Sequence, residues 1–267
     1  QLQTLINYLF NIYMKFIILG CGSSMGVPRS DGFFGKCNPK NIKNYRSRCS
    51  ALLHTKDETI LIDTSPDLRQ QLVKNKIKNI DKVFYSHMHA DQTHGINDLR
   101  VFYIQKKKTI PVYADKPTKK YLLNTFKYCF VSNSKQYPAT LKLNSITNRL
   151  TLKNGKKKLI IKPVKVMHGN VDSTCYIIDK KLAYISDVSD FYKKDYKYFK
   201  NLKYLIIDCF RLEHNSSHLN LEKSLKFIEL FRPQKAILTN LHSDLDYAHL
   251  TKILPKNIKP AFDGLTI

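Results

Sequence analysis

The sequence predicts an α/β protein whose strands stack as a sheet sandwich and whose chemistry sits at the carboxyl ends of those strands. Two observations lead there. Short apolar runs recur along the chain, separated by turn residues and helical stretches. Five of those runs end in a residue able to bind a metal or support one: Asp63, His87 with His89, His168, Asp187 and His242. Binding groups in α/β proteins collect outside the carboxyl ends of strands. Five such ends gathered at one edge would build a single site.

The densest of them is Ser86-His87-Met88-His89-Ala90-Asp91-Gln92-Thr93-His94-Gly95. It follows Val83-Phe84-Tyr85, which reads as a buried strand, and precedes a helix from Gly95 to Gln105. On extended backbone His87 and His89 point to the same side. Two imidazoles with Asp91 two residues further on form half of a divalent-metal site. Imidazole and carboxylate suit zinc, iron or manganese without any thiolate.

The remaining elements follow in order. Phe16 to Leu19 is a first strand, and Gly20 to Gly26 after it is either a plain turn or an anion-binding loop. Its spacing is not that of a P-loop. Residues 28 to 49 read as a long loop, functional or mobile. Ser50 to His54 and Thr59 to Asp63 are strands, and the Asp63 to Asp67 segment caps a helix from Leu68 to Lys76. Asp63 is open to two roles, that cap or support of a ligand histidine. Thr109 to Tyr113 is a strand, and Pro117 to Phe130 a helix with proline in its first turn. Residues 131 to 157 are polar and poorly patterned. Leu159 to Met167 contains a proline, which predicts an edge strand, and runs into His168. Thr174 to Ile178 and Leu182 to Ile185 form a hairpin, and Tyr204 to Asp208 is a buried strand. His214 and His218 lie in the polar loop before a helix from Asn220 to Phe231. Lys235 to Thr239 is the last clear strand.

Length and composition set the outer bounds. A chain of 267 residues suits one large domain, here residues 14–267. Residues 1–13 read as a non-native or disordered N-terminal extension, because Met14 looks like a natural start. The net charge of +24 has two readings. Lysine, asparagine and isoleucine together are what an A/T-rich genome favours, which is the preferred explanation. The alternative is a polyanionic partner, nucleic acid or a phosphorylated substrate. The six cysteines (Cys21, Cys37, Cys49, Cys129, Cys175, Cys209) form no CxxC pair. They read as reduced core residues of a cytoplasmic protein. No segment is apolar for long enough to span a membrane.

Together these residues resemble the metallo-β-lactamase-fold hydrolases. The resemblance rests on His87, His89 and Asp91 as the His-x-His-x-Asp signature, then His168, Asp187 and His242 in the same order, and it covers nearly the whole chain. It is nearest the branch holding PhnP-type cyclic phosphodiesterases and tRNA 3′-end nucleases. It implies a four-layer αββα sandwich and two divalent metal ions, zinc or manganese. One would sit with His87, His89 and His168, the other with Asp91 and His242, and Asp187 would bridge them. Asp91 and His218 are the implied catalytic side chains, His218 as general acid to the leaving group. One position departs from the pattern. The histidine expected after the aspartate is Gln92, a poor ligand. His94 would share a face with Asp91 if a helix begins there, and reads either as a substitute ligand or as a core or supporting histidine.

The expected function is a metal-dependent hydrolase, a phosphodiesterase acting on a small phosphorylated or cyclic-phosphate substrate. An RNA-processing nuclease of the tRNA 3′-end type is the alternative, as is a catalytically degenerate metal-binding relative. Nucleic acid is thus the less favoured partner, a membrane is not expected, and a homodimer is one assembly to test.

Overall fold

A computed structural model describes residues 14–267; the expected extension, residues 1–13, lies outside them. The described residues form two seven-stranded sheets with helices on both outer faces. The first sheet runs β14 (Leu265–Thr266), β1 (Lys15–Gly20), β2 (Ser50–His54), β3 (Thr59–Ile62), β4 (Lys82–Phe84), β5 (Ile110–Ala114) and β6 (Leu141–Ser145) from edge to edge. The second runs β13 (Ile258–Pro260), β12 (Lys235–Thr239), β11 (Tyr204–Asp208), β10 (Leu182–Ile185), β9 (Val171–Ile178), β8 (Lys157–His168) and β7 (Leu150–Asn154).

Strand alternation divides the apolar residues between layers. Phe16, Ile18, Ala51, Leu53, Ile60 and Ile62 face the second sheet and pack with Tyr176, Ile178, Tyr184, Ile206 and Ile237. Ile17, Leu19, Leu52 and Leu61 face outward, onto Leu68 and Leu72 of α1 (Leu68–Lys74), Phe102 of α3 (Arg100–Lys106) and Leu122 of α4 (Lys116–Thr125). On the far side Ala183, Ile185, Leu205 and Ile207 meet Ile228 and Phe231 of α6 (Leu221–Phe231) and Leu250 of α7 (Tyr247–Ile253). Three apolar layers between four structural ones make the αββα sandwich. Strands buried on both faces read as unbroken apolar runs, which is why their sequence shows no polar face.

Several sequence expectations need correction. The strand ending at His168 is not an edge strand, since β8 lies between β7 and β9. Pro163 is tolerated because β7 pairs only as far as Ile161, so the side of the strand where proline lacks its N–H has no ladder partner there. Residues 131 to 157 contain β6 and β7. Both are edge strands, and β7 alternates buried Leu150 and Leu152 with exposed Thr151 and Lys153, a pattern too short to stand out. Helix α7, capped by Asp246 accepting from His249 N at 2.9 Å, and the two C-terminal strands were also invisible in the sequence.

Helical structure begins before the expected Gly95 to Gln105 helix, with α2 (Ala90–Thr93), and the expected stretch itself is a 3-10 turn at Ile96–Leu99 followed by α3. Gly95 explains the break. Its N–H donates to Thr64 O at 2.9 Å, and a Cβ there would lie 2.0 Å from Ser65 O. The helix expected from Pro117 to Phe130 divides at Phe126 into α4 and α5 (Lys127–Phe130).

The long loop from 28 to 49 is fixed by a buried arginine. Arg46 donates to His242 O at 3.2 Å, to Leu245 O at 2.6 Å and to Asn44 Oδ1 at 3.1 Å. The glycine-rich turn after β1 is tied to the end of the long loop. Gly22 N donates to Ser47 O, Gly26 N to Ser23 O and Val27 N to Arg46 O, so three amides in and beside the turn are already paired. All six cysteines are free and buried.

Candidate metal centre

Strands β10, β11 and β12 are mutually parallel, and β8 runs in the same direction because it and β10 are both antiparallel to β9. Their carboxyl ends therefore open on one edge of the second sheet. The carboxyl end of β4 meets them there: Thr174 N, in β9, donates to Ser86 O at 2.8 Å, a bond from one sheet to the other. Asp63, at the end of β3, is in the left-handed region with φ 63°, a conformation aspartate tolerates better than most residues. Its carboxylate accepts from Ser86 N at 2.7 Å. Asp63 thus holds the backbone that carries His87 and does not cap α1. The N-cap residue, Asp67, makes no side-chain cap and accepts instead from Arg48 N at 2.9 Å.

Three imidazoles converge at that edge. His87 Nε2 lies 2.9 Å from His89 Nδ1, and His168 Nε2 lies 3.2 Å from the same atom. Outer partners fix two of the rings. Ser86 Oγ is 2.9 Å from His87 Nδ1, and His168 Nδ1 donates to Ser217 O at 2.6 Å. Each of these rings therefore keeps Nε2 for the centre. Burial pushes the His87 and His168 pKa values below the usual histidine range, and the neighbouring imidazoles push the same way. Neutral rings with lone pairs aimed at one point are what a divalent cation needs, and without one their nitrogens face each other with little to hold them together. The donor set fits a metal.

A second group of donor atoms comprises His168, Asp187 and His218. The His218 ring lies 4.7 Å from that of His168. Its Nδ1 donates to Asp208 Oδ2 at 2.8 Å, leaving Nε2 free. Phe210 stacks on its other side at 4.6 Å. Asn240 donates to Asp208 Oδ1 at 3.2 Å. Burial raises the Asp187 pKa to about 6, and burial likewise raises that of Asp91, with the Asp187 charge adding to it.

The structure thus gathers His87, His89, His168, Asp187 and His218, with Asp91 joined to Asp187 through Gln92. His242 is in neither group of donors among the described residues. Its Nδ1 meets Asp244 Oδ1 at 2.9 Å, and its Nε2 lies 3.2 Å from Arg211 Nη2. His94 does not substitute for the expected ligand. It is exposed, and its Nε2 pairs with Tyr121 OH at 2.9 Å. Sequence reasoning missed Asp208, Asn240 and Arg211. The first ends an apolar run just as Asp63 does, so the same rule would have found it; the other two carry no signal.

A model of the beta-lactamase superfamily domain matches residues 58–240, more than half of the chain. The chain belongs to that superfamily. Among solved structures of the superfamily's fold, a diphosphatase from the PhnP family is 27% identical with a TM-score of 0.85, covering 96% of this chain and 97% of that one. Zinc-bound PqqB from Methylobacterium extorquens, 16% identical, has a TM-score of 0.77 and covers 95% of this chain and 99% of that one. The short form of human tRNase Z, 18% identical, has a TM-score of 0.67 with 95% and 98% covered. These last two share the fold. A curated relative named octanoyltransferase, from Porphyromonas gingivalis, is 31% identical over 94% of this chain. The chain spans about half the length of that relative, 51%. The chain has the metallo-β-lactamase fold, and its histidine and aspartate groups could hold a divalent metal. No helix among the described residues is long and apolar enough to cross a membrane.

Proposed function

We propose that this chain is a metal-dependent phosphodiesterase acting on a small phosphorylated or cyclic-phosphate substrate. The observation that carries the proposal is the pairing of two unlike histidine sets. His87, His89 and His168 aim lone pairs at one point, while His218 beside them is tied at Nδ1 to a buried carboxylate. The likeness to a PhnP-family diphosphatase supports the same class of substrate.

His87, His89 and His168 would hold the metal, with Asp187 within reach. Zinc or manganese suits such a set. A divalent cation there supplies Lewis-acid chemistry, offsetting charge on phosphoryl oxygens and lowering the pKa of water. The protein's own groups do the rest. Asp208 fixes the His218 tautomer so that Nε2, when protonated, can give its proton to the departing oxygen. Burial lowers the His218 pKa, and the charges of Asp187 and Asp91 oppose that shift. His89 is exposed, so the centre is open to solvent on that side. A cleft of about 840 Å³ adjoins His87, lined also by Asp115, Lys165, Asp172 and Tyr192, a size suited to a small molecule.

A tRNA 3′-end nuclease is the less favoured reading. The interval between His168 and Asp187 is filled by the β9–β10 hairpin, with no long arm to hold a folded RNA. The octanoyltransferase name belongs to a protein twice as long. Acyl transfer through a thiol has no support here, since all six cysteines are buried and none is in the donor groups. The test is hydrolysis of bis(p-nitrophenyl) phosphate and of a cyclic phosphodiester with added manganese or zinc. Turnover that a chelator abolishes is expected; a metal-loaded preparation inert on both would overturn the reading.

A further inference from the structure

The donors that would complete a second metal site are already engaged with N–H groups. Gln92 is fully buried, and its Nε2 lies 3.2 Å from Asp91 Oδ2 and 3.3 Å from Asp187 Oδ2. An amide nitrogen carries two N–H bonds, so one amide serves both carboxylates. His242 is engaged in the same way. Its Nδ1–H donates to Asp244 and its Nε2 accepts from Arg211. A guanidinium keeps its charge and its protons at any ordinary pH, so that bond consumes the lone pair a metal would need. The guanidinium also rests over Phe210, with Cζ 5.1 Å from the ring centre, and Phe210 touches the His218 and His242 rings alike.

We propose that the centre holds a single metal ion. The Gln92 amide clamps Asp91 to Asp187 where a second cation would bridge them, and the Arg211 guanidinium stands as the fixed positive charge on the His242 side. This rests on the metal-hydrolase reading only in taking the three-histidine group as the occupied site. The physical logic is charge substitution. Two carboxylates left facing each other in a buried pocket repel, and they need either a cation or N–H donors between them. Gln92 provides the donors. A second divalent ion would have to displace the amide, which has no other buried partner, and would sit close to a cation that cannot lose its charge. Histidine at position 92 would restore an imidazole lone pair there and remove the clamp in the same substitution.

The experiment is a metal count that does not depend on turnover. The full chain is loaded with excess zinc or manganese, freed of unbound metal, and measured by elemental analysis and native mass spectrometry. The manganese form is also examined by electron paramagnetic resonance, in which isolated and coupled pairs of ions differ. The expected result is one metal per chain with an isolated-ion spectrum for the wild type, and two with a coupled spectrum for the Gln92→His, Arg211→Met double variant. A wild type holding two, or none, overturns the proposal. So does a folded double variant still holding one, as judged by its circular dichroism. Should the double variant not fold, the wild-type count and spectrum decide, with one isolated ion per chain expected and two coupled ions, or none, fatal. One metal per wild-type chain with no phosphodiester hydrolysis would leave this inference standing and reject the proposed activity instead.

Discussion

The carboxylate of Asp208 and the imidazole of His218 are joined at 2.8 Å, Oδ2 to Nδ1. The aspartate is wholly buried at the end of β11 and also accepts from Val188 N at 3.0 Å and from the Asn240 amide. The ring it holds lies on the rim of the three-histidine group. A histidine anchored at one nitrogen by a buried carboxylate has its other nitrogen fixed in direction, and that arrangement suits proton transfer.

Loss of His218 should therefore separate chemistry from metal binding. His218→Ala is expected to lower turnover by about 10²–10⁴-fold, the usual range for a general acid, while the metal content stays at the wild-type value. Asp208→Asn, which keeps the size of the side chain, should fall between the two. Steady-state kinetics beside elemental analysis reads both. Full turnover of His218→Ala on an unactivated diester would remove the residue from the mechanism.

The three-histidine group should behave as a unit. His87→Ala and His168→Ala each remove one of three converging nitrogens. Each should weaken metal affinity by more than the roughly 100-fold seen on losing an outer partner, and abolish turnover with it. A ligand present at a hundred times its Kd stabilises a fold by about 2.7 kcal/mol, so chelation should lower the wild-type melting temperature. It should leave that of His168→Ala unmoved, which differential scanning calorimetry will show.

Gly95 is expected to tolerate no side chain. A Cβ would meet Ser65 O at 2.0 Å and Leu68 Cβ at 3.0 Å, the one in the turn between β3 and α1 and the other in the first residue of α1. Gly95→Ala should destabilise the protein by about 1–3 kcal/mol, the usual range for overpacking. The midpoint of urea unfolding would show it, and a midpoint equal to wild type would mean that the turn yields more readily than its hydrogen bonds suggest.

Asp263 gives a pH dependence with a definite sign. It accepts from Ser47 N at 2.8 Å, Ser47 Oγ at 2.6 Å and Cys21 N at 3.1 Å. Burial nevertheless raises its pKa from 3.8 to about 6. The folded state then binds a proton that the unfolded chain has released. The resulting stabilisation is complete below the unfolded value near 3.8 and is lost as pH rises through about 6. Compared with Asp263→Asn, the wild type should lose its relative advantage across that window, seen in melting temperatures from about pH 4 to pH 7. A gap that widens with pH would show that the carboxylate, not the acid, is the form the fold prefers.

Much of this centre was legible in the sequence, and the reason is local. His87, His89 and Asp91 stand together because two-residue spacing on an extended segment fixes where side chains point. His168 and Asp187 follow buried apolar runs whose ends the eye can find. Asp208 was just as legible by that rule. The strands that escaped notice, β6, β7, β13 and β14, are edge or very short elements, where half the residues face water and the apolar signal is diluted. The breaks at Gly95 and Phe126 escaped because a helix is interrupted there by what packs against it, not by its own composition.

The sequence by itself thus determined the αββα sandwich, the order of the candidate metal-binding histidines along it and the substitution of glutamine at position 92. The tertiary structure alone decided what those residues do to one another. That His242 faces Arg211 rather than the imidazole group, and that one buried amide spans Asp91 and Asp187, depends on distances between residues far apart in the chain. Those distances are set by how β4 meets β8 to β12 across the sandwich. Local spacing fixes which way a side chain leaves the backbone; only packing fixes what it meets.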